Sequence, residues 1–422
     1  MLEVHCAASL AALAAEREQL DELNRSSRLP DPFSTFEFYQ TVFAHDEFYR
    51  HGIETELWFL TMREDGKIIG YLPLRRVRER VLGLPGARLE FFATHDNDRP
   101  HLVARPADEE RCVAAVLAYL KSRQREWSFL ELRQQPGDSP LSEARGFLAP
   151  RYLVRRFPDL DNGTIPIRWP ALRDWFASLS HKMRSNTGRQ FRSLAALGRL
   201  EHLGSADPAA TPLLFEMYRT LEPRSWKAGA DATISRSPQR LEFFRRQLDA
   251  RAPMRIRIDL LLLDGVPIAG LICGAFEQRL YALHIVFDDA FAKVGPGSAV
   301  LLLGMREAIE GKYLCFNLLS GFSYYKTRWQ AEMIPTQSLQ IAQVPGPRFL
   351  RAMLGLAVRA LVPPKPPAAD HNPTRREAAA PERLPAERAQ MDESIQKLAR
   401  LGVAVETAEA LARSMPFDVR RG

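Results

Sequence analysis

Two β-hairpin patterns, separated by about 200 residues, constrain the fold of this chain more than any other feature of the sequence. Each consists of two runs rich in apolar and β-branched residues, and they cover residues 57–74 and 256–273. The runs are joined by Asp-Gly, at Asp65–Gly66 in the first pattern and at Asp264–Gly265 in the second. Asp-Gly readily adopts the positive φ angles of a two-residue turn. The sequence therefore predicts two β-hairpins.

The segments that follow the two hairpins match in type and order. In the first half, two strand candidates precede a helix and a further strand (88–92, 101–105, 108–123 and 129–133). In the second half, a strand, a Gly-Pro-Gly loop, a helix and a strand follow one another (280–287, 295–297, 298–310 and 313–319). The same order at one offset predicts an internal duplication. The expected fold class is α/β, with two tandem mixed α/β domains in which helices flank a twisted sheet.

Composition shifts divide the chain further. We expect one domain over residues 1–157, starting with an amphipathic helix over 4–23, and a second domain over 158–345. An Arg-flanked amphipathic helix is expected over 346–362. Seven prolines in 363–385 predict a Pro/Ala-rich linker over 363–390, because such a segment does not pack a core. A short helical tail over 391–422 completes this largely flexible carboxyl-terminal region.

Composition excludes several classes of protein. A hydrophobic content of 46% excludes wholesale disorder. The net charge of +7 suits an anionic ligand, but it is spread over 422 residues and does not indicate nucleic acid binding. The four cysteines lie far apart without nearby His clusters, so we expect thiols in a reducing compartment and no metal site. No secretory signal and no membrane-spanning run is evident, which predicts a cytoplasmic protein.

The loop 287–298 is the strongest candidate for ligand binding. It follows a predicted strand and opens a predicted helix, so backbone N–H groups and the positive end of the helix dipole converge there. Glycines at 295 and 297 allow a phosphate to approach the backbone closely. A Gly-Pro-Gly turn is also a good simple connector, and the residues alone leave both interpretations open.

An ordered set of motifs resembles the GNAT-fold acyltransferases, and more specifically the CelD/BcsL type that is associated with bacterial polysaccharide biosynthesis. The matching segments are EPRSWKAG (222–229), DGVPIAG (264–270), FD with GPG (287–297) and GFSYYKTRW (321–329). The similarity is clearest over 175–330 and looser over 30–150. Two GNAT-like halves also resemble the Fem-type aminoacyl and peptidyl transferases.

The resemblance implies an acyl-CoA-dependent N-acyltransferase, with acetyl-CoA or another acyl-CoA as co-substrate and no metal. The thioester would lie where the fourth strand splays from the fifth, with its carbonyl polarised by an N–H group of the fourth strand. The residues implied for the donor are Phe287, Lys293, Val294, Gly295, Gly297 and Ser298. The usual phosphate loop reads Q/R-x-x-G-x-G/A, whereas here Pro296 removes one N–H donor.

The same resemblance implies roles for residues around the reacting centre. Glu222 is the preferred base, with Asp288 and His284 as alternatives, and Tyr324 or Tyr325 would protonate the leaving thiolate. Lys326 and Arg328 would hold a phosphate or steady an oxyanion. The acceptor pocket would include Trp226, Lys227 and His284. Each residue also has an ordinary structural interpretation, as a core side chain or a solvated charge.

Three functions remain open at this point. The first is an acyltransferase acting on the amine or hydroxyl of a small-molecule or glycan acceptor in polysaccharide or cell-envelope biosynthesis. The second is a Fem-type transferase, for which tRNA would be a partner, although no sustained heptads predict the helical arm of that class. The third is a non-catalytic accessory module of a glycan assembly system. The basic helix 182–199 would steer an anionic acceptor, and the helix 349–362 is a candidate for peripheral contact with the inner membrane. No DNA partner is expected, and the sequence leaves the oligomeric state open.

Overall fold

A computed structural model shows a mixed α/β chain with two sheets, which confirms the expected fold class. The structure describes residues 2–44, 54–81, 83–93, 97–144, 147, 151–229, 233–236, 238–249, 252, 254–321, 324–346, 349–351, 354 and 380–417. Two compact units divide the chain. The first comprises Met1–Asn162, Ser320–Phe322 and Met333–His371, and the second comprises Gly163–Leu319, Ser323–Glu332 and Asn372–Gly422.

The first unit is built on an eight-stranded sheet in the order β1-β2-β3-β4-β6-β15-β7, with β5 on β3. Strands β4 and β6 are parallel, and most of the other pairs are antiparallel. Apolar side chains of these strands and of α3 form the core cluster. The strands are β1 (Glu3–Ala7), β2 (Thr55–Glu64), β3 (Lys67–Val81), β4 (Leu84–Phe91), β5 (Val103–Ala104), β6 (Phe129–Pro136), β7 (Tyr152–Pro158) and β15 (Thr336–Gln343), with helices α1 (Arg17–Ser26), α2 (Phe36–Ala44) and α3 (Glu109–Ser122).

The second sheet has seven strands in the order β14-β8-β13-β12-β11-β10-β9. Its strands are β8 (Asn162–Pro166), β9 (Leu200–Ser205), β10 (Arg255–Leu263), β11 (Val266–Phe276), β12 (Arg279–Phe287), β13 (Cys315–Ser320) and β14 (Glu332–Ile334). The helices of the second unit are α4 (Leu172–Ser178), α5 (His181–Ala195), α6 (Thr211–Arg219), α7 (Trp226–Gly229), α8 (Pro238–Gln247), α9 (Pro296–Glu310), α10 (Tyr324–Arg328), α11 (Ala380–Arg400) and α12 (Ala408–Ser414).

Both predicted hairpins are present. Strands β2 and β3 are joined at Asp65–Gly66, where φ is 49° and 79°, and β10 and β11 at Asp264–Gly265, where φ is 50° and 83°. Two consecutive positive φ angles match the right-handed twist of the flanking strands. Each half therefore contains the hairpin that the sequence predicts.

The amino-terminal helix expected over 4–23 is wrong for its first residues. Residues Glu3–Ala7 form β1, which pairs with β2 in antiparallel register, and the α-helix begins only at Arg17. The alanines of this segment lie after residue 6, and the preceding Val4, His5 and Cys6 are weak helix formers that pair readily with a strand.

The second half, predicted as 158–345, contributes its last strand to the first unit. Strand β15 pairs antiparallel with both β6 and β7. Leu339 and Ile341 of β15 are fully buried in the core of the first unit. Partners that lie about 200 residues apart leave no local signal in the sequence, so the pairing was not foreseen.

The carboxyl-terminal residues 380–417 form helices that pack on the second unit. Helix α11 starts inside the predicted linker 363–390, and Leu384, Leu398 and Leu411 are buried. Of the linker and the helix predicted over 346–362, residues 361–379 and most of 352–360 lie outside the described residues. No helix among the described residues is long and apolar enough to cross a membrane.

A charge network fixes this carboxyl-terminal segment to the sheet. The imidazole of buried His202 lies between two carboxylates, with Nε2 2.9 Å from Asp259 Oδ1 and Nδ1 2.9 Å from Glu406 Oε2. The backbones of His202 and Glu406 also exchange two hydrogen bonds. Arg306 binds both carboxylate oxygens of Glu406 at 2.8 Å. Residues 403–415 are therefore held by polar as well as apolar contacts.

Candidate active site

A wedge opens between β12 and β13. The two parallel strands pair only where Arg279–Tyr281 faces Cys315–Asn317, and β12 then continues to Phe287 while β13 ends at Ser320. Beyond Tyr281, the described residues of this edge of β12 have no strand partner. Peptide N–H and C=O groups on a buried strand edge need hydrogen-bond partners. Where no neighbouring strand provides them, a bound ligand can. The resemblance to GNAT-fold acyltransferases implies such a splay between the fourth and fifth strands.

A β-bulge lies at the mouth of the wedge. Ile272 of β11 pairs with His284 whereas Cys273 pairs with Ala282, so Leu283 is the extra residue of β12. A bulge bends its strand and changes the direction in which side chains and peptide groups point. Here it lies just beyond Tyr281, where β12 separates from β13.

Backbone strain marks the opposite side of the wedge. Leu319 near the end of β13 has φ 61°, a rare conformation for a bulky residue. Its N–H donates to Asn317 Oδ1 at 2.7 Å, and its carbonyl accepts from Lys326 Nζ at 2.9 Å. Lys326 is only 4% exposed. Lys326, a predicted catalytic residue, lies on α10. Its ammonium group reaches the end of β13 and binds the carbonyl of the residue that has the rare backbone conformation.

The segment 288–298, which we call the donor loop, connects β12 to α9. Asp288 Oδ1 accepts from Ala290 N at 3.0 Å and caps a 3-10 turn over Asp289–Val294. Gly295 follows with φ 70° and serves as the N-cap of α9. A Cβ atom at this position would overlap the side-chain amide of Gln190 on α5. Glycine is therefore favoured at residue 295 by its positive φ, and any larger residue would also have to displace the Gln190 side chain.

A small cavity of about 130 Å³ lies at the start of α9. Arg189 of α5 and Arg328 of α10 line it together with Ser298. The positive end of the helix dipole points to the same place, so the electrostatics favour an anion. The lining residues are Met183, Asn186, Arg189, Gln190, Ser298, Arg328 and Trp329. Among the predicted donor residues, Ser298 lines this cavity and Lys293 lies exposed on the preceding turn.

Helix α5 is placed here by its sequence. Ser180 caps it by accepting a hydrogen bond from Met183 N at 3.3 Å, as predicted. Phe191 and Leu194 are buried in the core, and Arg189 is exposed on the face toward the cavity. Sequence reasoning assigned this basic helix to steering of an acceptor and missed its contact with the donor loop. The sequence predicts an amphipathic helix with a basic polar face, but a polar face alone does not indicate which part of the protein or which ligand it contacts.

A buried Tyr–His pair lies beside the bulge. The Tyr218 hydroxyl is 2.7 Å from Nδ1 of His284, and both side chains are buried. Burial raises the pKa of Tyr218 well above its ordinary value, so its hydroxyl stays protonated. Tyr218 was missed in the sequence. The one indication in the sequence is Gly270, because a glycine within a strand often marks the close approach of another group. A Cβ atom at residue 270 would lie 2.5 Å from the Tyr218 ring.

The carboxylate of Glu222 is fully engaged by backbone and hydroxyl donors. Its Oε1 accepts from Ile234 N at 2.5 Å, and its Oε2 accepts from Ser235 N at 3.0 Å and Ser235 Oγ at 2.6 Å. Glu222 is 1% exposed. The Glu222 carboxylate therefore ties residues 234–235 to this turn, and its role as the base stays a prediction.

The remaining predicted residues lie on α7 and α10. Trp226 is 43% exposed, and Lys227, which is buried, lies with its Nζ 5.7 Å from the centre of the indole ring. Tyr324 and Tyr325 start α10, and their side chains lie outside the described part of the structure. No group of three or more His, Cys, Asp or Glu residues in the described ranges is arranged to hold a metal ion.

The corresponding helix of the first unit differs in charge. Helix α3 also follows a strand and precedes a parallel strand, but its first turn carries Glu109 and Glu110. Asp108 is the N-cap. Three acidic side chains would repel a phosphate, so the start of α3 does not favour an anion as the start of α9 does.

Comparison with known families agrees with this geometry. Residues 181–327 match the family model described as an acetyltransferase (GNAT) domain. That range contains the wedge, the donor loop and most of the lining of the cavity at α9. No curated protein sequence matches the chain.

Several solved structures are similar to this chain. One is FemX, with 11% identity over 80% of this chain and 98% of that chain and a TM-score of 0.49. The carboxyl-terminal domain of a putative lysylphosphatidylglycerol synthetase from Agrobacterium fabrum has 12% identity, covers 83% of this chain and 97% of that chain, and has a TM-score of 0.48. A tandem GNAT protein from the clavulanic acid biosynthesis pathway has 14% identity over 82% of this chain and 99% of that chain, with a TM-score of 0.44.

Proposed function

We propose that the second unit transfers an acyl group from acyl-CoA to an amine of a small-molecule or glycan acceptor. The observation that carries the proposal is the wedge between β12 and β13, which is followed in the chain by the arginine-lined cavity at the start of α9. The match of residues 181–327 to the GNAT acetyltransferase domain supports the reaction class.

The pyrophosphate of the donor would bind at α9. Pro296 contributes no N–H, so the loop offers fewer backbone donors than is usual. Arg189 and Arg328 compensate because guanidinium groups bind phosphate oxygens through paired N–H donors. Ser298 adds a hydroxyl, and Lys293 adds a further positive charge nearby. Phe287, Val294 and Gly297 shape the approach to this site.

The thioester would lie in the wedge. Peptide N–H groups on the free edge of β12, beside the bulge at Leu283, are suited to polarise its carbonyl. Lys326 fixes the facing strand through Leu319. The acceptor nitrogen then attacks the carbonyl carbon, the C–S bond breaks, and CoA leaves as a thiolate that must gain a proton.

His284 is our proposed base: its Nδ1–H would donate to the Tyr218 hydroxyl oxygen 2.7 Å away, which orients the ring and leaves the Nε2 lone pair to take the proton. The attacking amine loses its proton to His284, and Tyr324 or Tyr325 on α10 would supply the proton to the leaving thiolate. Glu222 and Asp288 shape the surrounding turns. Trp226 and Lys227 remain candidates for the acceptor side.

The acceptor class rests on the motif resemblance to polysaccharide-associated acetyltransferases. We propose an amino sugar or a glycan precursor as the acceptor and the cytoplasm, where acyl-CoA is made, as the place of reaction. An aminoacyl-tRNA donor or an accessory role without catalysis are the alternatives that the following experiment separates.

Calorimetry with acetyl-CoA tests the donor. We expect one equivalent of acetyl-CoA per chain, because among the described residues the start of α9 is flanked by arginines whereas the start of α3 is acidic. Arg189→Ala should weaken binding about three- to tenfold, since a hydrogen bond to a partly exposed charge contributes roughly 1 kcal/mol. Lys182→Ala is the matched control, because Lys182 lies exposed on the same helix and does not line the cavity.

Catalysis is then measured as the release of the free thiol of CoA, with a panel of amino sugars offered as acceptors. Absence of binding of acetyl-CoA and longer acyl-CoA by the folded chain would refute the proposal. Salt-sensitive binding of tRNA in that case would favour the Fem-type alternative. Binding of acyl-CoA without turnover of any acceptor would favour the accessory module.

A further inference from the structure

We propose that Arg224 is a positioning residue through which the carboxyl-terminal segment 380–417 holds the donor loop in its binding conformation. The inference rests on the proposed function, because the loop matters only if it binds the donor. The juxtaposition that carries it is a bridge from Glu387 on α11, through Arg224, to Asp288 at the start of the donor loop.

The guanidinium of Arg224 reaches three separate elements. Its NH1 donates to Glu387 Oε2 at 2.6 Å, and its NH2 donates to the Pro267 carbonyl of β11 at 3.1 Å. Its Nε lies 3.2 Å from Asp288 Oδ2. The side chain of Arg224 is 17% exposed and that of Asp288 is 3% exposed, so water screens this bridge weakly. A planar guanidinium can make all three contacts at once, whereas an ammonium group cannot.

Asp288 transmits this orientation to the donor loop. While Oδ2 faces Arg224, Oδ1 accepts from Ala290 N and starts the turn over Asp289–Val294. The Asp288 N–H donates to Ile268 O at 2.9 Å, which fixes the backbone to β11. A rotation of the carboxylate would lose the cap and alter the turn that delivers Gly295 to the start of α9.

The other end of the bridge is anchored independently. Leu384 is 6% exposed and packs in the core of the second unit, and Glu387 lies three residues later on the same face of α11. At the far end of the segment, Glu406 is bound by His202 and Arg306. Glu387 is therefore presented to Arg224 from a fixed position.

A purely structural role predicts different results from a positioning role. If Arg224 only attaches α11, its loss lowers the melting temperature and leaves donor affinity unchanged. If it positions the donor loop, its loss raises the KM and Kd for the donor and changes kcat much less. The KM-against-kcat comparison therefore separates the two roles.

The test uses the full chain with Glu387→Gln, Arg224→Lys and the double variant. The matched control is Glu393→Gln, because Glu393 is exposed on the same helix and pairs only with Lys397 among the contacts seen. We expect Glu387→Gln to raise the Kd of CoA and the KM of acetyl-CoA about three- to tenfold, with kcat within about twofold of wild type. Arg224→Lys should have at least as large an effect. Adding Glu387→Gln to Arg224→Lys should then change the Kd by less than about twofold, because both act through one bridge.

Hydrogen exchange of the free protein gives a second readout that needs no ligand. Glu387→Gln should increase amide exchange over residues 289–296, whereas Glu393→Gln should not. Unchanged exchange there, or a CoA affinity of Glu387→Gln equal to that of the control, would overturn the inference. If the wild-type chain binds no CoA, the proposed function fails, and the exchange experiment still decides whether the segment holds the loop.

Discussion

Deprotonation of His202 is expected to weaken the attachment of the carboxyl-terminal segment to the second unit. Desolvation by burial lowers the pKa of His202, but its hydrogen bonds to Asp259 and Glu406 outweigh that effect and hold the pKa above its ordinary value. The other charged groups of the network are Arg257 and Arg306, of which Arg257 also binds Glu307. The imidazolium is thus the central cation between two carboxylates.

The direction of the pH dependence follows from linkage. The folded-state pKa of His202 lies above its unfolded value, so its contribution is fully present below about pH 6.5 and is lost as the pH rises through the folded pKa. The pKa values of Asp259 and Glu406 are lowered in the folded state, although burial alone would raise them. Their contribution is present above about pH 4.3 and is lost as the pH falls. The network should therefore stabilise the fold most between these two limits.

The magnitude can be estimated from the burial of the contacts. Removing one partner of a buried charge pair costs about 3–5 kcal/mol. The Glu406 side chain is 22% exposed and keeps Arg306, so we take the lower end, about 3 kcal/mol, for His202→Gln near pH 6. For a unit of this size, that corresponds to a fall of roughly 6–12 °C in melting temperature.

The assay is thermal unfolding of wild type and His202→Gln from pH 5.5 to 9. We expect the difference in melting temperature to be largest near pH 6 and to shrink as His202 of the wild type loses its proton. His181→Gln is the matched control, because His181 is exposed on α5. A difference that stays constant from pH 5.5 to 9 would show that the imidazole acts only through packing and would refute the reasoning.

Three further substitutions test the site. Gly295→Ala should weaken acetyl-CoA binding at least tenfold and destabilise the second unit by about 1–2 kcal/mol, measured by calorimetry and urea unfolding, because φ is 70° and Gln190 is in contact. His284→Gln should lower kcat at least a hundredfold and remove the acidic limb of the pH–rate profile, and an unchanged profile would exclude His284 as the base. Gly270→Ala should destabilise by about 1–3 kcal/mol, because its Cβ would lie 2.5 Å from the ring of Tyr218. Gly229→Ala, where a Cβ meets nothing within 4 Å, is the control for both glycine variants.

The parts of the fold that could be predicted are those specified by local sequence. The Asp264–Gly265 turn and the cap at Ser180 each depend on a few neighbouring residues, and both are present as expected. Pairing of β15 with β6 depends on residues about 200 positions apart, which no local pattern encodes. The attachment of α11 likewise depends on Leu384 and on contacts with Arg224.

The candidate site divides in the same way. The sequence predicts a glycine-containing loop between a strand and an apolar helix, and Gly295 lies there with a positive φ at the start of α9; binding of a donor by this loop stays a prediction. The sequence does not reveal the hydrogen bonds that Glu222 accepts from the backbone N–H groups of residues 234–235, because these residues follow a further turn of the chain. It also does not reveal Tyr218, whose ring reaches His284 only because Gly270 leaves room on β11.

The two halves of the chain have the same order of strands and helices, but they differ in charge at the start of the helix that precedes the parallel strand. In each half a helix lies between two parallel strands, and the start of that helix is the natural anion site of the fold. At α9 the first turn follows glycine and faces Arg189 and Arg328. At α3 the first turn carries Glu109 and Glu110. Because helix dipoles are the same in both halves, these side chains decide which helix start attracts an anion, and they favour the start of α9 over that of α3.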